Sequence, residues 1–131
     1  MLPKLPFGRY TSSRQLLPGD ALNRLHDLLT SFQGTITALA GGGRAGSPVL
    51  NAAYNEITVC ATGSDSVQLP IAQVGLNITV TNSGAQSLQI FANGTDTING
   101  TAGATGVALT ATSVAEFTCT KVGIWRRYVS A

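Results

Sequence analysis

A chain of 131 residues has room for one domain around one modest core. Its 44% hydrophobic share is ordinary and excludes a disordered chain, but only 11% of residues are charged, against about 25% in a typical soluble domain. The few charges are segregated: five basic and two acidic residues in 1–44, four carboxylates and no Lys or Arg in 45–120, and three basic residues in 121–131. A chain this poor in charge is expected to hide part of its surface in an assembly, with a neutral body and a basic arm that fastens to something.

Residues 1–18 read as an extended arm. Pro3, Pro6 and Pro18 disfavour helix and sheet interiors. Leu2, Leu5, Phe7 and Tyr10 are apolar among Lys4, Arg9 and Arg14. Such side chains suit an arm lying in a groove of a partner or sister subunit; the alternative is an arm folded back on its own domain. Residues 20–33 read as the one short α-helix. Asp20 follows Pro18-Gly19 as an N-cap, and Leu22, Leu25, Leu29 and Phe32 share one face. Ile36 and Leu39 continue a heptad rhythm, which fits a helical subunit interface. Gly34 and the β-branched Thr35-Ile36-Thr37 argue for a strand there instead, and a helix packed on its own sheet is the alternative to a subunit interface.

Gly41-Gly42-Gly43, extended by Gly46 and Pro48, reads as a hinge. It lacks the Lys of a phosphate loop. The expected division is therefore 1–46, arm, helix and hinge, and 47–131, a β domain. Beyond 49, Thr and Val punctuated by Gly, Asn and Ser predict strands at 56–61, 66–70, 76–82, 87–92, 96–99, 106–111, 114–120 and 123–129. Leu76, Ile78 and Val80 alternate with Asn77 and Thr79, and Ala115, Phe117 and Cys119 are expected to point inward, with Glu116 outward. Asn82-Ser83-Gly84, Asn93-Gly94 and Asn99-Gly100 read as turns. The expected fold is mainly β, an antiparallel β-sandwich or jelly-roll-like barrel. Trp125 closes the core or, with Arg126 and Arg127, anchors an interface.

Motifs for chemistry are sparse. His26 is the sole histidine, and Glu56, Asp65, Asp96 and Glu116 stand in no recognisable catalytic setting. Asp96, in Gly94-Thr-Asp-Thr-Ile-Asn-Gly, reads as a cap on backbone amides. Cys60 and Cys119 are expected to be buried thiols, and no metal site or cofactor is expected. No stretch supplies the roughly 20 apolar residues of a membrane span, and the N-terminus reads as neither a secretory signal nor a transit helix. The basic residues are too few for direct nucleic-acid binding, so an acidic protein surface is the expected target.

Five stretches together resemble small virion proteins of tailed bacteriophages. They are Thr35-Ile-Thr-Ala-Leu-Ala-Gly-Gly-Gly, Asp65-Ser-Val-Gln-Leu-Pro-Ile-Ala-Gln-Val-Gly, Val80-Thr-Asn-Ser-Gly-Ala-Gln-Ser-Leu-Gln-Ile-Phe, Gly94-Thr-Asp-Thr-Ile-Asn-Gly and Phe117-Thr-Cys-Thr-Lys-Val-Gly-Ile-Trp-Arg. The resemblance implies a non-enzymatic capsid decoration (cement) protein, a homotrimer bound to the major capsid protein on the head. A head-fibre or tail-fibre component binding a host glycan or receptor is the alternative, and it predicts an exposed aromatic patch.

Overall fold

The structure, a computed structural model, describes residues 31–130. It holds ten strands in two sheets, and no helix occurs among the described residues. The arm and residues 20–30 of the expected helix lie outside them.

The chain winds in coils. Strands β1 (Phe32–Thr37), β2 (Tyr54–Val59) and β4 (Asn77–Asn82) lie side by side and parallel in the larger sheet. Between β2 and β4 the chain crosses to the smaller sheet as β3 (Ser66–Gln68), and after β4 it returns there as β5 (Leu88–Phe91), parallel to β3. Successive circuits thus stack β1, β2 and β4 in one sheet and β3 and β5 in the other, the geometry of a β-solenoid. The winding then reverses. Strand β8 (Val107–Leu109) runs antiparallel to β5, β9 (Val114–Lys121) antiparallel to β4, and β10 (Ile124–Val129) antiparallel to β9. The short β6 (Thr97–Ile98) and β7 (Thr101–Ala102) complete the larger sheet in the order β1-β2-β4-β9-β10-β6-β7, and the smaller is β3-β5-β8.

A repeat of 21 residues underlies the coils. Ile36-Thr-Ala, Ile57-Thr-Val and Ile78-Thr-Val follow one another at this spacing, as do Gly42, Gly63 and Gly84, and Val67-Gln-Leu is echoed by Leu88-Gln-Ile. Ile36 sits opposite Ile57, where an irregularity at Thr35 (φ 57°) adjusts the register. Tyr54, however, sits opposite Thr79, and Ser66 opposite Gln89. These offsets of 25 and 23 exceed the sequence repeat by four and two residues. Both slips are even, so with a side-chain period of two every inward residue stays inward. Ile57, Ile78, Val67, Leu88 and Ile90 are accordingly fully buried, with Leu109, Phe117 and Trp125 from the reversed strands closing the same core.

All eight predicted strands are present, and Ala115, Phe117 and Cys119 face inward with Glu116 outward. The antiparallel sandwich is corrected: β1, β2 and β4 are parallel, as are β3 and β5, so the body is a solenoid and not a jelly roll. Phe32 is corrected too. It opens β1 instead of ending a helix, because Gly34 and the β-branched Thr35-Ile36-Thr37 favour a strand. Gly41–Gly43 is a turn and not a hinge. All three have positive φ, Gly42 N–H donates to Leu39 O at 3.2 Å, and a Cβ on Gly42 would lie 2.0 Å from Ser64 O. Within 32–46, β1 pairs with β2. Asn82-Ser83-Gly84 links the two sheets instead of forming a hairpin, whereas Asn99-Gly100 does join the antiparallel β6 and β7.

The repeat glycines differ in their surroundings. A Cβ on Gly84 would come within 2.5 Å of the Cys60 Cβ and 2.7 Å of its backbone N, while Gly63 faces open space. Gly84→Ala is expected to lower unfolding stability by about 1–3 kcal/mol through overpacking, and Gly63→Ala to leave it nearly unchanged. Urea denaturation of both variants checks this.

Candidate binding face

The outer face of the larger sheet carries the groups most exposed for recognition. Pairing across five neighbouring strands places Phe32 opposite Tyr54, Tyr54 opposite Thr79, Thr79 opposite Glu116 and Glu116 opposite Tyr128. The five side chains form one transverse row. On β2, β4 and β9 their neighbours along the strand, Asn55, Val80, Ala115 and Phe117 among them, are buried beneath. Phe32 is 66% exposed, Tyr54 57% and Tyr128 67%.

The polar centre of the row is organised. Thr118 Oγ1 donates to Asn77 Oδ1 at 3.2 Å, and Asn77 Nδ2 donates to Glu116 Oε1 at 2.9 Å. This relay holds the Glu116 carboxylate beside Tyr128. A shallow groove of about 270 Å³ opens there, lined by Thr79, Val114, Glu116, Tyr128, Val129 and Ser130. On the same face Ser83 Oγ donates to Glu56 Oε1 at 2.8 Å. The surface can stack flat apolar rings and offer hydroxyl, amide and carboxylate groups between them.

The other carboxylates do different work. Asp65 is buried and bonded on all sides: Thr62 Oγ1 donates to Oδ1 at 2.6 Å and Gly41 N–H to Oδ1 at 3.0 Å, while the N–H groups of Ala61 and Thr62 donate to Oδ2 at 2.7 and 3.1 Å. It ties the turn after β1 to the turn after β2. Asp96 Oδ2 accepts from Ala72 N–H at 2.8 Å, the amide cap expected of it, though across the fold and not within its own turn. Among the described residues no group of three or more His, Cys, Asp and Glu side chains is placed to hold a metal ion. Cys60 and Cys119 are buried free thiols whose pKa values burial pushes up.

Of the expected interface anchors, Trp125 is fully buried beside Phe117 in the core cluster, so its core-closing alternative is the one realised. Arg127 is tied down by Nη1 donating to Ala108 O at 2.7 Å, and Arg126 remains exposed on the binding face. Leu2, Lys4, Leu5, Phe7, Arg9, Tyr10, Arg14, Leu22, Leu25 and Leu29 lie outside the described residues, as does His26. Sequence reading missed Tyr54 and Tyr128. Their signal was present in the alternation of β2 and β10, but only the strand order brings them into one row.

No family model, curated protein or solved structure matches this chain.

The Asp65 bonds have a pH signature. The Thr62 hydroxyl, then the Thr62 and Gly41 amides, lower its pKa from 3.8 to about 2. A pKa depressed in the folded state adds stability that is full above the unfolded value and is lost as pH falls through the folded one. Stability is therefore expected to decline between about pH 4 and pH 2. Asp65→Asn is expected to destabilise the protein at neutral pH and to flatten that acid slope, as read by thermal melts across the pH range.

Proposed function

We propose that this chain is a non-enzymatic structural protein on the outer surface of a tailed-phage-type particle, held there by its N-terminal segment and working as a homotrimer. Its role is that of a head-fibre or tail-fibre component, with the β body displayed outward to bind a host surface. The observation that carries this choice is the exposed row from Phe32 to Tyr128, the aromatic patch that a fibre component needs. Here exposed aromatic side chains flank a polar centre, and Tyr is among the residues that dominate binding hot spots.

A second reading, capsid decoration, draws support from the charge pattern. A body with four carboxylates and no basic residue over 45–120 suits close packing among neighbours, and a basic arm suits an acidic capsid shell. In both readings Leu5, Phe7, Arg9, Tyr10 and Arg14 fasten the chain to the major capsid protein or a neighbouring virion subunit.

Quantitative mass spectrometry of purified particles separates the two. A few to a few dozen copies per particle fits a fibre, and a ratio near one per capsid subunit fits decoration; absence from particles overturns both. The double variant Arg9→Ala/Arg14→Ala is expected to lower occupancy on particles several-fold, most clearly at low salt. Unchanged occupancy would remove these arginines from the attachment.

A further inference from the structure

The row on the larger sheet has the composition and the span of a site for an extended sugar chain. Phe32, Tyr54 and Tyr128 place exposed aromatic side chains at both ends of a line that crosses the strands. Tyr54 and Tyr128 are three strands apart, about 14 Å at roughly 4.8 Å per strand. Between them stand the Thr79 hydroxyl and the Glu116 carboxylate, the latter held by the relay through Asn77 and Thr118. The groove of about 270 Å³ beside Glu116 and Tyr128 is small and open along one side. A ring with an apolar C–H face and a rim of hydroxyls matches each part: the aromatics take the faces, and Thr79, Asn77 and Glu116 take the hydroxyls.

A second copy of the chain fits this face less well. Cores of protein interfaces are depleted in charge. A subunit contact through the row, as in a homotrimer, would strip water from the Asn77–Glu116 pair, which is costly without new partners. A nucleic acid strand is disfavoured by the same carboxylate, Arg126 on β10 notwithstanding.

We propose that the row from Tyr54 through Glu116 to Tyr128 binds a linear, neutral oligosaccharide laid across the strands. This rests on the outward-displayed reading of the body and names the class of surface it would bind.

The full chain is titrated with maltohexaose, cellohexaose and chitohexaose by calorimetry, with saturation-transfer NMR to map the sugar protons nearest the protein. At least one hexaose is expected to bind. Tyr54→Ala and Tyr128→Ala should each weaken it roughly tenfold through loss of one stacking face, while Val122→Ala, at the exposed β9–β10 turn, leaves it unchanged. Thermal melts confirm that the variants fold. Failure of all three sugars to bind the folded protein overturns the proposal, as does binding that both tyrosine variants retain. Light scattering supplies the remaining arm: an oligomer that Tyr128→Ala dissociates would assign the row to a second copy and overturn it. None of these results alters the copy number in particles, so the sugar site and the virion role fail separately.

Discussion

The parallel stacking of β1, β2 and β4 is the constraint on which the rest of the molecule depends. Parallel neighbours cannot be joined by a tight turn, so the chain must leave the sheet and come back. Between β2 and β4 the outward leg becomes β3 of the second sheet, and between β1 and β2 it meets that sheet through the isolated bridges Leu39–Ser66 and Val49–Gln68, so two sheets face one core with no helix among the described residues to cover them. The inner faces are filled by the residues that recur, Ile36, Ile57 and Ile78 on one side and Val67, Leu88 and Ile90 across from them. The outer face is what remains, and its cross-strand order is set by the same register. A slip by one residue between β2 and β4 would turn Ile57 outward and scatter the aromatic row in a single step.

Sharp turns between sheets leave backbone amides and carbonyls without ladder partners, and buried polar side chains supply them. Asp65 collects four donors from the turns after β1 and β2. Asn82 does the same after β4. Its Oδ1 accepts from Gly84 N–H at 3.0 Å, and its Nδ2 donates to Gln86 O at 2.8 Å and Leu109 O at 3.0 Å. Ser47 and Ser66 share a hydrogen bond of 2.6 Å beneath the glycine turn. Leaving such a group buried without a partner costs about 1–3 kcal/mol. Asp65 and Asn82 therefore act as fasteners between coils.

Strand positions were legible because Thr, Val and Ile alternate with polar residues between Gly and Asn turns, a local signal. Their direction was not. Short strands with frequent turns read as antiparallel hairpins by habit, and Asn82-Ser83-Gly84 has the composition of a hairpin turn while performing a crossing between sheets. The 21-residue repeat held the missing information: similar segments at constant spacing imply stacked coils that run the same way. Even so, the repeat would have paired Ile57 with Ile78, whereas the structure pairs Ile57 with Asn82. Heptad spacing misled at Phe32, Ile36 and Leu39, where β-branching and pairing with β2 outweighed an apparent helical rhythm. The binding face was the least legible part, because Tyr54 and Tyr128 are 74 positions apart in the sequence and meet one row only through three intervening pairings.

The segregation of charge acquires a physical meaning once the face is in view. Contacts made by exposed arginines weaken as salt screens them over about 8–10 Å. Ring stacking and hydrogen bonds to a neutral ligand are far less sensitive to ionic strength. A chain with its basic residues at the ends and an aromatic, hydroxyl-rich sheet between them therefore carries two kinds of adhesion that respond differently to the medium. In the proposed role one kind operates during assembly and the other when a finished particle meets a surface.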